Sequence, residues 1–156
     1  MNISIKKTII KVAFFVFISS AFSCVSSGKF MNNENFKDIM DKDWNLKEIQ
    51  KGGDTITINR MNIPSDIYTV RFEYKRLVGV GAPNRYRALY YERENHGLSI
   101  GRIASTRIAA LYEMKNFTEY EYFECLQKVT HWYILRNGSL ELISNDKGAQ
   151  VILIFF

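Results

Sequence analysis

The chain has 156 residues, 47% of them hydrophobic and 14% aromatic, and carries a net charge of +5 from 21 basic and 16 acidic side chains. Residues 1–23 hold Lys6, Lys7 and Lys11 and no acid. Without them the charge falls to +2, so the rest of the chain gives no general footprint for nucleic acid, which calls for a concentrated basic face. What remains is one domain's worth of chain, enough for a single core but not for two.

The N-terminus reads as a bacterial secretory signal. Lys6 and Lys7 precede an apolar run through Ile9, Ile10 and Val12–Ile18, which ends in Ser19, Ser20, Ala21 and Ser23. The run is too short for a membrane span of about 20 residues. Cys24, directly after Ala21-Phe22-Ser23, fits a relaxed lipobox in which this Cys becomes the diacylated first residue of a lipoprotein. The same tripeptide satisfies the small-x-small rule of ordinary signal peptidase, which would release a soluble domain. Lipidation of Cys24 is the preferred reading, because the polar stretch after it, Val25–Lys29 and Asn32–Asn35, suits a tether. This predicts a signal at 1–23, a tether at 24–42 and a domain at 43–156, exported and held at the membrane by its lipid.

Beyond the tether, alternation from Trp44 through Leu46 predicts a strand ended by Gly52-Gly53-Asp54, and Thr55–Ile58 a second. Tyr68, Val70, Phe72 and Tyr74 alternate with Thr69, Arg71, Glu73 and Lys75, which predicts a strand facing a core on one side only. A glycine-rich turn, Gly79–Pro83, leads into an aromatic strand at Tyr86–Tyr91, and Asn95-His96-Gly97 turns the chain into Leu98–Ile100. Thr118-Glu119-Tyr120-Glu121 is a capping box. Behind it Tyr122, Leu126, Val129 and Tyr133 lie at helical spacing as one buried stripe, and the helix is expected to end near Thr130 because His131–Leu135 resumes a β composition and Trp132–Arg136 reads as a strand. Asn137-Gly138 predicts a hairpin through a type I′ turn, and Asn145–Gly148 a second turn. Val151–Phe156 is apolar on both faces, as for a central strand. The sum is an α+β single domain: a strongly curved antiparallel meander of about seven or eight strands packed around one main helix.

The middle of the chain resembles the META domain, also called the HslJ-like family. The resemblance rests on Gly79-Val-Gly81-Ala-Pro-Asn84-Arg85-Tyr86, Tyr90, and Leu98-Ser-Ile100-Gly101-Arg-Ile103-Ala104-Ser-Thr106-Arg107. Flanking segments agree with it: Trp44-Asn-Leu46, Glu121-Tyr-Phe123 with Leu126 and Val129, Leu140-Glu-Leu142 and Leu153-Ile-Phe155. It covers about residues 43–156. The resemblance implies a small exported or membrane-anchored bacterial domain, loosely associated with stress tolerance, antibiotic resistance, motility and virulence and with no shared reaction. Many members carry a pair of cysteines thought to form a disulfide. Here the corresponding positions are Pro83 and Ala110.

Asn84, Arg85, Tyr86, Thr106 and Arg107 are the candidate site. One reading makes them a ligand rim, with Arg85 or Arg107 gripping a carboxylate or phosphate bidentately. The preferred reading is structural, with Asn84 holding the glycine turn and Thr106 and Arg107 closing a neighbouring loop. His96 and His131 have no second ligand at metal spacing. Cys125, on a helix flank, reads as a packing residue. Glu92, Glu94, Glu119, Glu121 and Glu124 read as solvated turn and helix positions. No catalytic constellation, metal or cofactor is expected.

The functional expectation is therefore a non-catalytic envelope lipoprotein with a binding or stress-tolerance role, an envelope protein as possible partner, and no nucleic acid. A second reading has Tyr86, Tyr90, Tyr91, Tyr120, Tyr122 and Tyr133 line a concave sheet that captures a small apolar or anionic ligand. A deep aromatic pocket would support it and a filled interior would end it. A third, an enzyme using Cys125, requires an exposed thiol.

Overall fold

A computed structural model describes Phe30, residues 34–61, 63–109, Met114, 117–146 and 148–156. The signal segment, Cys24 and Ala110 lie outside the described residues. Ten strands and one α-helix follow in order: β1 (Trp44–Lys51), β2 (Asp54–Thr57), β3 (Thr69–Glu73), β4 (Arg76–Val80), β5 (Arg85–Arg93), β6 (Gly97–Ile100), β7 (Ala104–Ser105), α1 (Glu119–Gln127), β8 (Val129–Ile134), β9 (Leu140–Asp146) and β10 (Ala149–Phe155).

The sheet is antiparallel, as the alternation predicts, but it does not stay open. Strand order runs β10-β9-β8-β6-β5-β4-β3-β1, and β1 then pairs with β10 to close the ring. Eight strands thus form a barrel, with β2 beside β1 and β7 beside β5 as short additions. Closure removes the sheet edges that an open meander would expose. It also gives β10 its double-sided apolar composition. β10 lies between β9 and β1, with Val151, Leu153 and Phe155 fully buried and Ile154 nearly so.

The helix is not a centre around which the sheet packs. It is nine residues long and sits at one mouth, burying Tyr122, Cys125 and Leu126. Its start follows the capping box: Glu121 N donates to Thr118 Oγ1 at 3.2 Å and Thr118 N to Glu121 Oε2 at 2.8 Å. Its end, at Gln127, comes before the expected Thr130. Val129 and Tyr133 belong to β8, where Val129 pairs with Ser144 of β9. A β-branched residue at the barrel wall gains more from the ladder than from another half-turn of helix.

Two further expectations change. The β8–β9 turn places Gly138, but not Asn137, at positive φ, and Gly138 N donates to Leu135 O while Leu135 N donates to Ser139 O. This is a longer loop with glycine in the left-handed position, not a type I′ turn. The domain also starts before residue 43. A 3₁₀ helix at Phe36–Ile39, capped by Asn35, buries Phe36 and Ile39 over the second mouth. Phe36 meets Phe72, Tyr90 and Trp132 at ring-centroid distances of 5.2–5.4 Å. Two residues of the expected tether, Phe36 and Ile39, are thus core. Two apolar residues beside an Asn cap read poorly as a tether once the barrel offers them a surface.

Candidate functional site

The Gly79–Tyr86 motif runs from the end of β4 into β5, at the mouth that α1 covers. Neither Gly79 nor Gly81 has positive φ; both are required by close approach. A side chain at Gly79 would strike the Tyr86 ring, 2.8 Å from the Cβ position, and the Thr69 carbonyl. One at Gly81 would strike the Glu119 carboxylate and the Phe123 ring. The glycines therefore admit two neighbours, one from β5 and one from the helix.

Those neighbours explain the motif. Glu119, at the first position of α1, accepts from the backbone N–H groups of Ala82 and Asn84 and from Asn84 Nδ2, the last two at 2.8 and 2.6 Å. Asn84 is buried and fully engaged. Its amide donates to Ile108 O at 3.1 Å, and its Oδ1 accepts from Thr106 Oγ1 at 2.9 Å and Ile108 N at 2.7 Å. Glu119 was expected to be a solvated helix position. It is instead the acceptor that ties helix, glycine turn and the segment after β7 together. Capping signals mark Glu119 only as a first-turn acid, and nothing in the sequence shows that the β4–β5 loop will present donors to it.

Tyr86 turns inward beneath this knot. Its hydroxyl and that of Tyr122 both donate to Thr69 O, at 2.8 and 3.0 Å, and the two oxygens lie 3.4 Å apart. Burial pushes the pKa of both phenols well above the ordinary tyrosine range. The rings of Tyr68, Tyr86, Phe117, Tyr122 and Phe123 pack against one another at 5.2–6.5 Å. The concave aromatic face expected to hold a ligand is the barrel's own filled interior. Of the six tyrosines proposed to line it, Tyr86, Tyr90 and Tyr122 are buried, whereas Tyr91 and Tyr120 point outward. Tyr74, expected on the core side of β3, lies in the β3–β4 turn and is 78% exposed.

The five candidate residues are thus divided. Asn84, Tyr86 and Thr106 belong to the knot, with Thr106 Oγ1 also accepting from Arg85 N. Arg85 and Arg107 are exposed. Arg85 lines an open groove of about 570 Å³ across the outer face of β3, β4, β5 and β7, together with Arg71, Arg87, Thr69 and Thr106; Arg107 is not among its lining residues. Arg71 and Arg87 were not singled out from the sequence, although their i,i+2 relation to Glu73 and Arg85 is the signal that places each pair on one face.

The remaining candidates are accounted for by packing. His96 stacks on Tyr133, packs at a tilt against Trp132, and lies 3.6 Å from the buried Glu34 carboxylate, which accepts from Ile134 N. His131 is exposed beside Thr130. Cys125 is buried, so the exposed thiol that an enzymatic reading required is not there. Among the described residues no three His, Cys, Asp or Glu side chains are placed to hold a metal ion.

Comparison with known proteins agrees with this architecture. The family model described as META domain matches residues 37–154, beginning inside the 3₁₀ helix that the fold adds to the domain. A solved structure, the NMR structure of a protein from Burkholderia xenovorans, is similar with a TM-score of 0.58 and 19% identity, over 77% of this chain and 85% of that one. At that identity the likeness is one of fold. No curated protein matches.

Proposed function

Since the chain belongs to the META-domain family, we propose that it is a non-catalytic binding module of the cell envelope, exported, anchored through a lipid on Cys24 and working from its outer surface. The observation that carries this reading is the use of the motif's polar groups. Asn84, Thr106 and Glu119 direct their hydrogen bonds to closing the barrel mouth, and Tyr68, Tyr86, Tyr90 and Tyr122 lie buried in the interior. That leaves the outer wall as the surface for a partner, and an envelope protein whose loss lowers stress tolerance fits the resemblance.

The test is the intact mass and detergent-phase partitioning of the protein made in its own host, beside Cys24→Ala. A lipid-sized mass increase and detergent partitioning, both abolished by the substitution, are expected. A mass matching plain cleavage after Ser23, with partitioning unaffected, overturns the anchor. The envelope role is read separately: a deletion strain should lose tolerance of envelope stress, and Cys24→Ala should restore it less well than the unsubstituted gene. Equal restoration by both argues against a role at the membrane.

A further inference from the structure

The outer groove concentrates positive charge that the net charge conceals. Arg85 and Arg87 occupy alternate positions of β5 and so point outward together, roughly 6.6 Å apart along the strand. Arg71 faces the same groove from β3. Its guanidinium meets Asp43 at 3.3 Å, and Asp43 itself is 72% exposed. Among the described residues no carboxylate pairs with Arg85 or Arg87, although both are exposed and the chain has 16 acids to offer. The floor is formed by Val78, Gly79 and Val80 of β4. The volume lies in the range of small-molecule sites, about 300–1,000 Å³.

The geometry points to a binding site for a phosphate-bearing ligand in this groove, its anionic oxygens held between Arg85 and Arg87 with Arg71 at the far wall. Two guanidinium groups on one strand face offer several N–H donors, and each fork suits the oxygens of a tetrahedral oxyanion. Lysines would offer charge without that geometry, and every cation at the groove is an arginine. Asp43 keeps Arg71 partly neutralised, so the charge available to the ligand lies mainly on β5. The outward row of β5 continues past Arg87 into Leu89 and Tyr91, 57% and 59% exposed. The phosphate can therefore belong to a free polyanion or to a lipid headgroup whose apolar part runs on along the strand. This inference does not depend on lipidation of Cys24.

Isothermal titration of the full chain with inorganic pyrophosphate is the first arm. Saturable binding is expected, weakened roughly tenfold or more by Arg85→Gln and by Arg87→Gln, weakened by added salt, and unchanged by Arg136→Gln in the β8–β9 loop. Each variant carries an exposed substitution, and circular dichroism checks that the fold is retained. The second arm uses dihexanoyl phosphatidic acid as a monomer in solution. Tighter binding than pyrophosphate, with the gain removed by Leu89→Ser, assigns the phosphate to a lipid. Equal or weaker binding assigns it to a free anion. Absence of saturable binding with both ligands, or binding indifferent to Arg85→Gln and Arg87→Gln, overturns the site.

Discussion

Phe36 and Glu119 perform the same task at opposite mouths of the barrel by opposite chemistry. Phe36 closes its mouth with a ring set against Phe72, Tyr90 and Trp132, an apolar plug held by area and edge-to-face contact. Glu119 closes the other with a carboxylate that gathers N–H donors from the β4–β5 loop. The first contact is non-directional and tolerates reshaping. The second is directional, so it dictates which residues stand around it: glycine at 81 and Asn at 84. A motif stands out in the sequence at the polar mouth and not at the apolar one because hydrogen-bond geometry admits fewer residue types than hydrophobic packing does.

The contrast can be broken from either side. Phe36→Ala should cost the most, about 3–5 kcal/mol, because it removes a buried ring and leaves a cavity among three aromatics. Urea unfolding monitored by tryptophan fluorescence, with Trp132 beside the cavity, measures it. Glu119→Ala should cost about 2–3 kcal/mol, since it leaves the Ala82 and Asn84 donors without their acceptor. In a double-mutant cycle Glu119→Ala and Asn84→Ala should couple by about 1–3 kcal/mol, whereas Glu119→Ala and Phe36→Ala should add to within about 0.5 kcal/mol. Strong coupling across the barrel would refute two independent closures. Gly81→Ala should cost about 2 kcal/mol through overpacking against Glu119, and much of that penalty should vanish in the Glu119→Ala background.

The smallest expected effect at neutral pH is that of Tyr122→Phe, about 1 kcal/mol for one hydrogen bond to Thr69 O. Its pH dependence sharpens the comparison. Burial raises the folded-state pKa of Tyr86 and Tyr122 above the unfolded value of about 10. Above pH about 10 the native state therefore holds more protons than the unfolded state, and stability falls as pH rises. Below that it is present in full. Unfolding midpoints followed from pH 8 to about 11 should decline less steeply in Tyr122→Phe than in the parent. A parallel decline would mean that these phenols are not the alkaline weak point.

Much of the wall was legible in the sequence because strand alternation is a local property. Trp44, Leu46, Val70, Phe72, Tyr86 and Tyr90 face inward as the period of two requires, and Thr118 starts the helix because its cap is written within four residues. The helix ends at Gln127 and not near Thr130, because Val129 continues the helical spacing by coincidence and spacing cannot reveal that β9 offers it a ladder. Of the site, Asn84 stands at the glycine turn and Thr106 in the neighbouring loop, and their side chains bond to each other. Glu119 was missed because its partners lie 35 and 37 residues away. The arginine groove was missed for a related reason: net charge sums over the whole surface, whereas Arg71, Arg85 and Arg87 meet only when β3, β4 and β5 are paired.

The sequence by itself determined most of the inward-facing strand residues, the antiparallel succession of strands, the point where the helix begins, and the family to which the chain belongs. These depend on period, capping and short motifs, all carried within a few neighbouring residues. The tertiary structure alone decided that β1 meets β10 and turns a meander into a barrel, that Phe36 lies inside the domain, and that Glu119 is an acceptor instead of a solvated acid. It also decided that three arginines share one groove. Each of these joins groups distant in the chain, and their worth is set by what burial removes from water when they meet, a quantity that no local pattern contains.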